Sequence, residues 1–337
     1  MHMADALISP AVGGTLWAAT AGMLFYCSRT LRQGMDDAKV PLMGVLGAFI
    51  FAAQMLNFSI PGTGSSGHLG GGLILAMLLG PHAAFLTIAS VLTVQAFFFA
   101  DGGILALGCN ILNLGLFPCF VAYPLIFRRI AGREPGRFRL AAASVLAAVL
   151  GLLLGAFGVV VETLASGISD LPFSTFVLLM LPIHLAIGLV EGAATAAVAL
   201  FVRRARPEIL APAVPAAPAA ASRSLRPVLV GFLLAAFAAG GVFSWFASAD
   251  PDGLEWSVRG VTGKEEVERP RTAAHEALAS LQERTAVLPD YDLPKDKAEA
   301  WPNVNAGTSL AGVVGGAVTL GLTVLVGLML RRRRAAS

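Results

Sequence analysis

Charge is scarce in this chain. Of 337 residues, 13% are Asp, Glu, Lys or Arg, where a soluble domain carries roughly 25%. That shortage excludes an ordinary water-soluble protein and points to the lipid bilayer. The formal net charge is only +3, so no nucleic-acid partner is indicated. Cysteine is also rare. Cys27, Cys109 and Cys119 lie in apolar segments without C-x-x-C spacing, which excludes a disulfide framework and a thiolate zinc site. No Lys or Arg occurs in residues 1–10, so the positive start of a secretory leader is missing and the mature chain is expected to begin at Met1. The nearest approach to a phosphate loop, RGVTGKEE, lacks the first Gly and the Ser or Thr, so no ATP site is expected on this chain. No internal repeat is present.

What the chain has instead is apolar length: 56% of its residues are hydrophobic, and several runs approach the about 20 residues that cross a hydrocarbon core. Nine membrane segments are expected, near 9–28, 40–58, 69–80, 83–100, 104–127, 140–162, 174–202, 227–246 and 307–330. The third is short and Gly-rich, suiting a partial or tilted helix. Basic residues follow alternate segments: Arg29, Arg32 and Lys39, then Arg128 to Arg139, then Arg203 to Arg226, then Arg331 to Arg334. The short loops 59–68, 101–103 and 163–173 contain no Lys or Arg. By the positive-inside rule the N-terminus lies outside and the C-terminus in the cytoplasm. The expected architecture is an all-α integral membrane protein of the cell (inner) membrane. A seven-segment module (1–205) precedes a cytoplasmic Ala/Pro-rich linker (206–226) and a two-helix hairpin (227–331). The hairpin carries an outer loop, 247–305, in which ERPRTAAHEALASLQER reads as a short amphipathic helix.

Two stretches on the outer side carry chemistry. The chain opens MHMADALISP, and later reads NFSIPGTGSSGHLGGG. The α-amine of Met1, the amide nitrogen of His2 and its imidazole Nδ1 can close a five- and a six-membered chelate ring around one cation. His68 can fill the fourth in-plane position. Four nitrogens in a plane suit Ni(II) or Cu(II), and Co(II) tolerates several geometries. The glycines around His68 let irregular backbone approach closely where it lines a cavity. Each stretch also has a bland reading, as a frayed terminus and a simple turn. Their shared side of the membrane favours one joint metal site of Met1, His2 and His68.

At these residues the chain resembles the CbiM/NikM family, the substrate-binding membrane components of energy-coupling-factor transporters for cobalt or nickel. The resemblance extends through DGGILALGCNILNLG and PIHLAIGLVEGAATA and covers about 1–205. It implies an N-terminus threaded into the bundle and metal ligands at Met1, His2 and His68. The cargo would be Ni2+ or Co2+, the chain would not be an enzyme, and an integral coupling subunit with ATPase subunits would be its partners. The chain departs from the family pattern at Ala6, where Gly is common. The DPDGLEWS run, Asp250 to Ser257, is similar to the outer-loop signature of the small NikN or CbiN subunit, which implies a fused protein.

Other residues have quieter readings. His82 suits a cap or interface. His184 and Glu191, seven residues apart, suit a pair that locks helices, although an intramembrane Glu is a functional candidate by default. Asp101, Asn110 and Asn113 suit turn and interhelical hydrogen bonds, and Pro251-Asp252-Gly253 suits a turn. His275 is expected to be solvated. The GSSG at 64–67 also matches the serine motif of rhomboid intramembrane proteases, with Ser66 as nucleophile and His184 as base, but that alternative leaves His2 without a role.

Overall fold

The computed structural model describes residues 2–35, 39–132, 135–210, 224–265, 267–268, 270, 272–293 and 304–332. Helix dominates. Helix α1 (Pro10–Arg32) starts where the Ser9 hydroxyl accepts from the Val12 amide at 3.4 Å, with Pro10 giving up an N–H that has no helical partner there. Arg29 and Arg32 lie in its last turn, at the negative end of the helix dipole. Helix α2 (Lys39–Gln54) follows.

The expected loop 59–68 then proves to contain a small antiparallel hairpin, β1 (Phe58–Ile60) and β2 (Ser65–Gly67), with Ser59 opposite Ser66. Three-residue strands are too short to leave a period-two pattern in the sequence. Gly62 and Gly64 supply the positive φ that the turn needs.

Gly80, at φ 82°, separates α3 (Gly72–Leu79) from α4 (Pro81–Phe98). Helix α5 (Leu107–Ile111) runs into a π-helical stretch, Leu112–Phe127, and then α6 (Arg128–Ala131). Pro118 and Pro124 lie inside that stretch, and proline cannot supply the i→i−4 donor of an ordinary helix. The long pair α7 (Arg137–Ser166) and α8 (Phe173–Ala205) completes the first part of the chain. Beyond it come α9 (Arg226–Gly241), α10 (Gly253–Thr262), α11 (Ala273–Thr285) and α12 (Ala306–Arg332). The linker expected at 206–226 falls largely on 211–223, outside the described residues.

Among the described residues, five helical runs are long and apolar enough to cross a membrane: α4, Leu107–Ala131, α7, α8 and α12. Helices α2 and α9 are apolar but have 16 residues each, about 24 Å of rise at 1.5 Å per residue. The chain is a multi-pass membrane protein. Phe25, Leu178, Leu234 and Phe237 point out of the bundle, as lipid-facing side chains do.

Inside, small residues let helices touch. A Cβ on Gly192 of α8 would lie 2.7 Å from the Val145 Cα of α7. One on Gly315 of α12 would lie 2.0 Å from the Phe51 ring of α2, and Gly240 of α9 meets Gly312 of α12 backbone to backbone. Gly316 faces open space. Gly315→Leu is therefore expected to lower the thermal midpoint of detergent-solubilised protein, at an overpacking cost of about 1–3 kcal/mol. Gly316→Leu should leave that midpoint unchanged.

Candidate metal centre

The first residues run into the bundle rather than away from it. The Met3 amide donates to Asn110 Oδ1 at 2.8 Å, and Asn110 Nδ2 donates back to the Met3 carbonyl at 3.2 Å. The Gly103 amide also donates to that carbonyl, at 2.8 Å. Asp5 Oδ1 accepts from the Ala106 amide at 3.0 Å, and a 3-10 turn, Asp5–Leu7, leads to α1. Met3 and Ile8 are fully buried. A Cβ on Gly103 would lie 1.8 Å from Asp5 Oδ1, so only glycine admits the arm at this point.

This threading brings His2 beside His68. Their rings lie parallel within 3°, with centroids 5.0 Å apart. Met1, the third expected ligand, lies outside the described residues. His2 Nδ1 sits 3.0 Å from Asp101 Oδ1, and His2 Nε2 is buried without a hydrogen-bond partner among the described residues. The chelate expected from the sequence uses Nδ1, so closing it exchanges the Asp101 contact for the cation, whereas ligation through Nε2 keeps that contact. A ligating imidazole commonly donates its other N–H to a carboxylate, so Asp101 stands where such a support belongs. Burial pushes the Asp101 carboxyl up, but His2 beside it and the Tyr291 hydroxyl outweigh burial and hold it below the usual carboxylate range. Among the described residues, no three His, Cys, Asp or Glu side chains gather as a metal cluster.

His68 follows β2 directly, and its Nδ1 lies 3.2 Å from the Leu69 carbonyl. The loop beyond it is pinned from α8: the Gly70 and Gly71 amides donate to the Glu191 carboxyl at 3.2 and 3.0 Å. Glu191 does not pair with His184, as the sequence reading expected. The buried Gly70 and Gly71 amides occupy its carboxyl, while His184 Nδ1 is taken by the Met180 carbonyl at 2.7 Å. Ser66 Oγ donates to the Asp250 carbonyl at 2.8 Å and His184 is engaged elsewhere, so nothing supports a serine–histidine protease pair. Asn113 does bridge helices, donating to Glu162 at 2.8 Å.

The segment between α9 and α12 closes over both histidine-bearing stretches. Asp252 caps α10 with a capping box to Glu255. The stretch ahead of it and α10 itself bond to the hairpin region: the Ser66 amide donates to the Pro251 carbonyl at 2.8 Å, the Ser248 amide to the Asn57 carbonyl at 2.8 Å, and the Trp256 indole to the Thr63 carbonyl at 2.9 Å. Helix α11 grips the other side. His275 is fully buried rather than solvated. Its Nε2 lies 3.1 Å from the Asp5 carbonyl and 3.0 Å from that of Ile8, because α11 packs on the N-terminal arm. Gln282 donates to the Ala96 and Gly102 carbonyls at 2.9 and 2.8 Å, and Tyr291 reaches Asp101.

A helical membrane bundle that brings His2, near its N-terminus, beside a second imidazole gathers nitrogen donors of the kind that suit a divalent transition-metal cation. Comparison with known proteins gives the family. The model of the cobalt uptake substrate-specific transmembrane region matches residues 2–209, and that of the PDGLE domain matches 226–332. The chain belongs to the cobalt uptake substrate-specific transmembrane family. It is 33% identical over 329 residues to a putative fused nickel transport protein NikMN of Archaeoglobus fulgidus, covering 96% of each chain. It is 36% identical over 238 residues to the fused nickel transport protein NikMN of Rhodobacter capsulatus, covering 67% of this chain and 68% of that protein. It also matches the solved structure of a truncated transition metal transporter at 27% identity and a TM-score of 0.53, covering 61% of this chain and 99% of that one. The family and these relatives are metal-transport components, not enzymes.

Glu191→Gln leaves one oxygen for two buried amides. Leaving a buried donor unanswered costs about 1–3 kcal/mol, so amide hydrogen exchange at Gly70 and Gly71 should quicken about tenfold or more. Exchange measured by mass spectrometry checks this, with α7 amides as the unchanged reference.

Proposed function

We propose that this chain captures a divalent Ni2+ or Co2+ ion from outside the cell with nitrogens of Met1, His2 and His68. The observation that carries the reading is the pair of parallel imidazoles, 5.0 Å apart, at the end of a buried N-terminal arm. Imidazole and amine nitrogen suit both ions and do not separate them. The relatives include nickel and cobalt transport proteins, which supports the cargo class.

In this reading the chain crosses the membrane nine times, seven in a metal-binding module (1–205) and two in a hairpin (227–331), joined by the linker 206–226. Its N-terminus is outside and its C-terminus in the cytoplasm, as the distribution of arginines supports. It serves as the substrate-specific component of an ATP-driven energy-coupling-factor uptake transporter. An integral coupling subunit and ATPase subunits reorient it, and ATP is hydrolysed on those subunits. The cytoplasmic stretches around Arg29–Lys39 and Arg128–Arg139 offer them docking surfaces.

The test uses purified protein with a native N-terminus, loaded with nickel and desalted. His2→Ala and His68→Ala are each expected to lose the retained ion, as read by elemental analysis. Nickel at the parent level in both variants would refute the site. Two residues added before Met1 should also abolish retention, because they displace the α-amine. A blocked or clipped first residue in protein that still retains nickel would contradict that amine's role.

A further inference from the structure

His184 has no part in the site described so far, yet its ring is arranged as a ligand. It lies on α8, 1% exposed, two turns before Glu191. Its Nδ1 faces the Met180 carbonyl at 2.7 Å. A carbonyl only accepts, so Nδ1 carries the proton and Nε2 keeps its lone pair. That Nε2 is buried with no hydrogen-bond partner among the described residues. A ring whose tautomer is fixed by a backbone carbonyl, leaving the other nitrogen bare, is the usual arrangement of a metal-binding histidine. An ordinary packed histidine would instead find an answer for both nitrogens, since an unanswered buried acceptor is costly.

The space in front of the ring is shaped for something small. A cavity of about 10 Å³ is lined by His184, His68, Asp252, Gly67, Gly70 and Gly253, with aliphatic side chains closing the rest. That is room for about one water-sized particle. Gly253 keeps the space open: a Cβ there would lie 3.3 Å from His184 Nε2 and 3.0 Å from its Cε1. Asp252 is fixed by its cap, accepting from the Leu254 and Glu255 amides at 2.8 and 2.9 Å.

We propose that His184 Nε2, with His68 and Asp252 on the same cavity, forms a second and weaker position for a divalent transition-metal cation. It deepens the capture reading above, because His68 borders both positions. Imidazole and carboxylate suit such an ion. Among the described residues no three such side chains gather closely as a metal cluster, so the ion is held loosely and exchanges readily. Asp252 and Gly253 belong to the outer segment, so the position exists only while that segment is docked.

Nickel binding to the full-length protein, measured by equilibrium dialysis, tests this. The parent is expected to show one retained ion, lost in His2→Ala, and a second bound about tenfold more weakly or worse, as loss of supporting groups commonly costs metal sites. The weaker ion should be lost in His184→Gln and in Gly253→Ala, which keeps the histidine but fills its cavity. Thermal midpoints in detergent separate these losses from misfolding. A weak ion unaffected by His184→Gln, or absent from the parent, overturns the proposal. A parent that holds no retained ion but still binds a His184-dependent weak one would sink the capture reading and leave this proposal standing.

Discussion

Sending a chain terminus into a helical bundle strands backbone amides and carbonyls where water cannot answer them. This constraint governs the part of the protein around the N-terminal arm. Asn110 meets it for Met3 by giving and taking a hydrogen bond, the peptide-like exchange that an amide side chain can make. Asp5 caps the amide of Ala106, and His275 reaches the carbonyls of Asp5 and Ile8 from the outer segment. Each of these bonds ties the arm to the structure around it. Without them the arm has no stable place inside, and His2 has no fixed position relative to His68.

The second half of the site is held by the same logic from the opposite direction. The loop after His68 is too rich in glycine to hold itself, since glycine gives up the most conformational freedom on ordering. Glu191 supplies order through two backbone amides, and Gly71, at φ 76°, completes the turn into α3. Neither histidine therefore depends on its own element alone. One hangs from a threaded terminus, the other from a loop fastened to a helix more than a hundred residues away. Their 5.0 Å separation reports how well the whole bundle is assembled.

Much of this could be read from the residues in order. Long apolar runs announced the membrane helices, and Gly80-Pro81 marked a break, because both signals are local. His2 and His68 stood out because histidine is rare here and both fell on one side of the membrane. The partners did not stand out. Asp101 looked like a turn residue, Glu191 like a helix lock and His275 like a solvated side chain, since the partners that give them their roles lie far off in the chain, 121 positions for Glu191 and Gly70 and 270 for His275 and Asp5. A hint was present for Asp101, the only charge between the fourth and fifth apolar segments. For His275 there was none, because an amphipathic helix reads the same whether its apolar face meets water's edge or a buried arm. Helix α9 was expected to run to 246, because hydropathy continues past Gly241 into the 3-10 turn Phe243–Phe246, and α2 ends at Gln54 rather than at 58.

The outer segment gives the two parts of the chain a common fate. It pairs with the hairpin before His68 through residues 248–256, and with the N-terminal arm and the 98–103 turn through His275, Gln282 and Tyr291. Both grips sit on one stretch of chain, anchored between α9 and α12, which themselves close glycine to glycine. Loosening either grip exposes backbone groups on the other partner as well, so the segment favours docking as a unit. Covalent attachment makes that docking intramolecular. A separate outer subunit with the same contacts would have to overcome the entropy of association first. Fusion therefore keeps the 248–256 stretch, with Asp252 and Gly253, beside the hairpin that leads to His68.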